Sequence, residues 1–138
     1  MDKNLLRLEY DKILAKLAAY TSFAVSREMA ENLLPAGIAA EATERLAETD
    51  EAAAVLTLYP LFSLGGLWDI RPSLAHLQIG GVLTTEELIN IAATARAARQ
   101  SKQVLSELRG KYPIICGLGR ELVLLKTIEK RSRKGYCR

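Results

Sequence analysis

The chain is short of the residues that most chemistry needs. It has one histidine, His76, and two cysteines, Cys116 and Cys137. The cysteines are neither a C-x-x-C pair nor at a metal-ligand spacing, and with a single histidine they leave a structural zinc site without enough ligands. They also give no support for a disulfide framework, so both read as buried or incidental thiols. No apolar run approaches the roughly 18 residues of a membrane span, and no membrane partner is expected. The start, Met1-Asp2-Lys3-Asn4, is acidic and polar where a signal peptide has a basic and then a long apolar region. A cytoplasmic location is the resulting expectation. Aromatic residues make up 6% of the chain, alternating strand patterns are missing, and Ala and Leu are plentiful. Such a composition favours helix over strand.

What is present is a sequence of 138 residues, 49% of them apolar and 25% charged, enough for one domain that buries a sizeable core. The net charge of +3 is uneven. Residues 1–110 hold 11 Lys/Arg against 14 Asp/Glu, a balance of −3, and residues 111–138 hold 8 against 2, a balance of +6. The basicity therefore belongs to the end of the chain, and the mildly acidic body does not read as a nucleic-acid surface.

Periodicity gives a succession of helices. Leu6, Tyr10, Ile13, Leu17 and Tyr20 fall on one face, with Asp11, Lys12 and Lys16 opposite. A second helix is expected from Thr21 or Ser22 to Leu34, using Phe23, Met29 and Leu33 and stopped by Pro35-Ala36-Gly37. A third spans about Ile38 to Leu58, with Leu46, Ala53 and Leu56 inward and Pro60 ending it. Pro72 to Leu77 reads as a short helix, since proline suits the first helical position. Thr84 and Glu87 form a capping-box signal for a helix reaching about Leu108, with Leu88, Ile91, Ala92, Ala95, Leu105 and Leu108 inward. Its alanine-rich stretch, Ala92 to Ala98, would admit a close helix neighbour, and Gly110 with Pro113 marks its end. Residues 117–130 carry a last pattern through Leu122, Leu125 and Ile128. The expected fold is all-α, a multi-helix packed bundle with short connections.

Two double-glycine segments punctuate this pattern, Gly65-Gly66-Leu67-Trp68-Asp69-Ile70-Arg71-Pro72 and Gly80-Gly81-Val82-Leu83-Thr84. Neither is followed by the Lys-Ser or Lys-Thr that opens the helix of a phosphate-gripping loop. They read as structural turns and hinges rather than ligand loops, and the residues fixing helix geometry are Gly65, Gly66, Trp68, Asp69, Arg71, Pro72, Gly80, Gly81, Thr84 and Glu87. Trp68 reads as an anchor seating its loop in the core, or else an exposed interaction hot spot. Asp69 and Arg71 read as a cap or local ion pair at the start of a helix. His76 has no Ser, Cys or Asp at a triad spacing. Glu48, Asp50 and Glu51 form an acidic cluster that reads as a solvated helix face rather than an acid–base pair. The basic end offers Lys130, Arg131, Arg133 and Lys134 as possible nucleic-acid contacts, against a solvated, disordered tail. No constellation supports catalysis, and no cofactor or metal site is assigned to this chain.

Four segments carry a family resemblance. Leu8-Glu9-Tyr10-Asp11-Lys12-Ile13-Leu14 resembles the opening motif of the MutS-II subfamily, bacterial MutS-like ATPases lacking the mismatch-recognition domain. Glu48-Thr49-Asp50-Glu51-Ala52 is similar to the family's third helix. Leu64 to Leu74 resembles its Gly-Gly-Leu-x-Asp-Ile-Arg-Pro-x-Leu segment, and Ile79 to Leu88 its Gly-Gly-Val-Leu-x-x-x-Glu-Leu segment. Order and spacing agree over residues 5 to about 113, with fainter similarity to about Ile128.

The resemblance implies that residues 1–130 correspond to the helical N-terminal core and lever region, ahead of the clamp and ATPase. Full-length members are expected to be homodimers with an ABC-type ATPase that uses ATP and Mg, and usually an Smr endonuclease domain. They are associated with mismatched or branched DNA, suppression of recombination and rescue of collided ribosomes. The partners implied are the remainder of such a protein, its dimer mate and, through them, DNA or the ribosome. No catalytic residue carries over to a position here. The end departs from the family pattern: residues 131–138 are short and basic where members are acidic and glycine-containing, which suggests a truncated or frameshifted, non-native tail. The alternatives from other classes are a stand-alone helical protein-interaction module, using Trp68 and residues 92–98, and a weak nucleic-acid binder through the tail.

Overall fold

The computed structural model describes residues 7–60, 62, 65–108 and 110–125. These residues form six helices and no strand, an all-α fold: α1 (Tyr10–Ala19), α2 (Ala24–Glu31), α3 (Ala39–Leu58), α4 (Arg71–Gln78), α5 (Thr85–Glu107) and α6 (Pro113–Glu121). The chain divides into two compact units, Met1–Pro35 and Ala36–Arg138. No helix among the described residues is long and apolar enough to cross a membrane.

In the first unit α1 packs on α2. The buried positions are Leu14, Ala18 and Ala30. The expected inward face of α1 is thus displaced: Tyr10 is half-buried, but Ile13, Leu17 and Tyr20 are all exposed, as are Met29 and Leu33 of the second helix, and Leu6 lies outside the described residues. Small side chains at Ala18 and Ala30 let the two helices approach closely, and the bulkier residues are left at the flanks. The second helix is also shorter than its pattern suggests. The Thr21 hydroxyl donates back to the Ala18 carbonyl (2.7 Å), ending α1 rather than capping α2, whose N-cap is Phe23. At the other end the Asn32 amide donates to the Glu28 carbonyl (2.8 Å), closing the helix before the proline is reached.

In the second unit the expected bounds of α3 and α4 hold to within about one residue. Glu41 supports the start of α3 by accepting from the Gly37 N–H (3.1 Å) and pairing with Arg45 one turn on (2.6 Å). The inward residue of α3 is Val55, 2% exposed, whereas the expected Leu46, Ala53 and Leu56 are exposed. Alanines dominate this helix, so no bulky stripe identifies its buried side. Helix α5 buries Ile91, Ala92, Ala97, Ser101 and Leu105, with Leu108 buried just after it. Ala95 is half-buried and Leu88 exposed, a partial departure from the expected face.

The largest correction concerns the last helix. The pattern places it at 117–130, but it runs from Pro113 to Glu121, and Leu122 and Leu125 lie beyond its end. Pro113 lies past the end of α5 at Glu107, as expected, and is also the first residue of α6, because its missing N–H and fixed φ suit a helix start. Gly110 does sit in the turn between them, at φ 92°. Val55, Leu105, Leu108, Tyr112 and Cys116 form one buried cluster, with Ala54, Phe62, Val104 and Ile115 packed against it. Helix α6 pairs closely with both α5 and α3. Its approach to α5 is at Leu105, past the Ala92–Ala98 stretch expected to receive a neighbour.

Candidate functional site

Both double-glycine segments are fastened to α5. In the first, Gly66 takes φ 83°, a left-handed turn that glycine adopts without steric cost. The backbone of Trp68 then meets Thr94 on α5: its N–H donates to Thr94 Oγ1 at 3.0 Å. The indole is half exposed rather than seated in the core, so the segment is held by the Trp68 backbone and not by its ring. Asp69 opens α4. Its Oδ1 accepts from the Arg71 N–H (3.1 Å) and Nε (2.9 Å), and its Oδ2 from a terminal guanidinium nitrogen (2.8 Å). The Arg71 side chain holds the Asp69 carboxyl below its ordinary range, with the Arg71 backbone N–H adding to the effect. Pro72 follows as an early residue of the helix.

The second segment ends α4. Gly80, at φ 82°, donates to the Leu77 carbonyl (3.0 Å), and Gly81 donates to the His76 carbonyl (2.9 Å). Those two bonds are the paired closure of a Schellman motif, which satisfies carbonyls the helix itself cannot. The two glycines are needed for different reasons. Gly80 supplies the positive φ, whereas Gly81 leaves room for a side chain: a Cβ there would lie 2.0 Å from His76 Cδ2. His76 therefore packs against its own helix terminus.

Thr84 and Glu87 then start α5 as a complete capping box. The Thr84 hydroxyl accepts from the Glu87 N–H (3.2 Å), and Glu87 Oε2 accepts from the Thr84 N–H (2.8 Å) and hydroxyl (2.9 Å). The other carboxylate oxygen accepts from buried Ser73 on α4 (3.1 Å). The Thr84 backbone N–H, followed by its hydroxyl, lowers the Glu87 carboxyl from its ordinary value. One glutamate thus starts α5 and ties α4 to it.

A second constellation was not legible as a site. Glu51, read as part of a solvated acidic face, accepts from the backbone N–H groups of Ile114 (2.9 Å) and Ile115 (3.0 Å). It is the cap of α6, supplied by α3. At the far end of α6, Lys102 of α5 donates to the carbonyls of Arg120 (3.0 Å) and Leu122. Between them the Cys116 thiol donates to the Leu105 carbonyl (3.2 Å), and a Cβ on Gly119 would lie 2.8 Å from Leu105. Beside α6 lies an apolar cleft of about 320 Å³, with walls from α3 (Val55, Leu56), α5 (Ala98, Leu105) and α6 (Ile115, Leu118). The only sequence cue to these contacts of Glu51 and Lys102 is the start of α6 at Tyr112-Pro113, which has no local side chain to cap it.

Among the described residues no group of three or more His, Cys, Asp or Glu side chains is placed to hold a metal ion. The tail residues Lys130, Arg131, Arg133 and Lys134, together with Cys137 and Ile128, lie outside the described residues.

No protein-family model matches the chain. Individual relatives do. The chain is 38% identical over 126 residues to the Endonuclease MutS2 of Geobacillus sp. (strain WCH70), a match covering 89% of this chain and 16% of that protein. It is 43% identical over 113 residues to the Endonuclease MutS2 of Geobacillus thermodenitrificans, covering 81% and 14%. With the Endonuclease MutS2 of Symbiobacterium thermophilum it shares 37% identity over 135 residues, 97% of this chain and 17% of the relative. The matched stretch is therefore less than a fifth of each of these relatives. With these identities over most of its length and an all-helical fold, the chain belongs to the MutS2 family as a segment of such a protein.

Proposed function

We propose that this chain is a non-catalytic helical segment of a MutS2-like DNA-binding ATPase and endonuclease, corresponding to the N-terminal core and lever region. In the longer protein it carries rigid-body displacement between the ATPase and the clamp. ATP and Mg act in the parts of the protein outside this segment, and DNA or a stalled ribosome is met through the whole assembly, where mismatch repair, recombination suppression or ribosome rescue would be exerted. The observation that carries this reading is the match to less than a fifth of each named endonuclease. The surface supports it. Leu46, Trp68, Ile79 and Val82 are all more than half exposed, Ile79 and Val82 at 84%. These are positions that the rest of a longer polypeptide would cover.

The test mixes the purified chain with a MutS2 relative lacking the matching segment and follows sedimentation. A stable complex is expected; two species sedimenting independently would count against the proposal.

A second reading, a stand-alone interaction module, draws on the half-exposed Trp68 indole. It predicts binding to a protein other than a MutS2 relative. The tail reading predicts DNA binding that weakens with salt and vanishes on deletion of residues 130–138; binding unchanged by that deletion would sink it.

A further inference from the structure

By composition α6 is a poor helix. Its nine residues, Pro113-Ile114-Ile115-Cys116-Gly117-Leu118-Gly119-Arg120-Glu121, include two glycines and two β-branched isoleucines. A helix this short is marginal in water even with good helix formers, and glycine is the weakest helix former after proline. Tertiary contacts must therefore supply its stability, and the polar ones at its two ends are directional. A carboxylate from α3 holds the first turn and an ammonium from α5 holds the last. Each charge has the sign that complements the helix dipole at its end. On the flank, by contrast, the apolar cleft of about 320 Å³ leaves part of the contact with α3 and α5 unfilled. Cys116 and Gly119 are buried, but Leu118 is 53% exposed. Helix α6 also pairs closely with both long helices, so it is the element that α3 and α5 share.

We propose that α6 is a releasable wedge. It unlatches as a unit from Glu51 and Lys102 while α3 and α5 remain helical. Unlatching frees α3 from α5 and opens the apolar cleft. The device is a local-unfolding equilibrium of the kind that places moving elements at the low-stability end of a fold. It does not depend on the identity of the longer protein. If the lever reading holds, α6 sets whether the lever is stiff or slack.

The test is native-state hydrogen exchange on the full 138-residue chain, comparing the amides of Gly117–Glu121 with those of Ile91–Ala97 in α5. The α6 amides should exchange at least about tenfold faster and with little dependence on denaturant, the mark of local opening. Glu51→Gln weakens a charge-assisted bond to a neutral one, and Lys102→Met removes the ammonium at the end of α6 but keeps the aliphatic stem. Each should speed α6 exchange a further roughly fivefold and leave α5 within about twofold. Equal protection of α6 and α5, falling together in both variants, would overturn the proposal, as would variants that leave α6 exchange unchanged. Should Glu51→Gln fail to fold, the wild-type denaturant series and Lys102→Met decide the question.

Discussion

The starts of α5 and α6 solve the same problem with different reach. Both helices begin with backbone N–H groups that have no partner inside the helix. At α5 the partners are Thr84 and Glu87, three residues apart and adjacent to the N–H groups they serve. At α6 the partner is Glu51, 63 and 64 residues away in sequence and on another helix. A local cap stabilises its helix wherever the helix goes. A borrowed cap exists only while α6 is docked on α3, so the same interaction that completes α6 also fixes its position.

The comparison can be sharpened by substitution. The largest effect is expected at Gly119. A side chain there meets Leu105 Cδ1 at 2.8 Å and Cβ at 2.9 Å, and the Cβ cannot swing away. Gly119→Val should destabilise by about 3 kcal/mol, at the upper end of ordinary overpacking, read from the denaturant midpoint. Gly117 has nothing within 4 Å of an added Cβ and no unusual φ. Gly117→Ala should instead stabilise by about 0.5–1 kcal/mol through helix propensity and chain entropy.

Next in size is the borrowed cap. Glu51→Ala leaves two partly buried N–H groups without an acceptor and should cost about 2 kcal/mol, with lost protection concentrated in α6. Thr84→Ala removes a local cap of ordinary strength and should cost about 1 kcal/mol. Its exchange signature should be fraying of the first turn of α5, with α6 unaffected. Equal spread of both defects over the whole unit would erase the distinction between the two caps.

The smallest effect is on pH. The Glu87 carboxyl is held below its ordinary value of 4.5 by Thr84. Between the folded and ordinary values the unfolded chain binds more protons than the folded one, so stability rises with pH there. The contribution of Glu87 is fully present above the ordinary carboxylate range and is lost as pH falls through its lowered folded value. Comparing the pH dependence of denaturation for the native chain and Glu87→Gln should show a shallower acid slope in the variant, with the part due to Asp69 remaining. The borrowed α6 cap should persist at neutral pH in both.

The same contrast explains what could be read from the sequence. The start of α5 was legible because all its determinants lie within four residues, and the end of α4 because a glycine pair marks it. The expected span of α6 failed because Leu122 and Leu125 continue an apolar rhythm, while the real determinants, Glu51 and Lys102, lie on other helices. Glu51 looked like one more acid on a charged face, and only its position across from Ile114 and Ile115 gives it a task. The inward faces of α1 and α3 were misread for a related reason. Bulky stripes were expected inside, yet α1 buries Leu14 and Ala18 and α3 buries Val55, while Ile13, Leu17, Leu46 and Leu56 are exposed. Those exposed side chains are intelligible once the chain is taken as part of a protein several times its length.

The most direct test of that account is turnover by the purified chain, measured as ATP hydrolysis and cleavage of branched DNA at enzyme-like concentrations with Mg present. The account predicts no hydrolysis of either substrate above the rate without protein. Steady ATP hydrolysis by these 138 residues alone, proportional to protein and abolished by a point substitution within them, would contradict it.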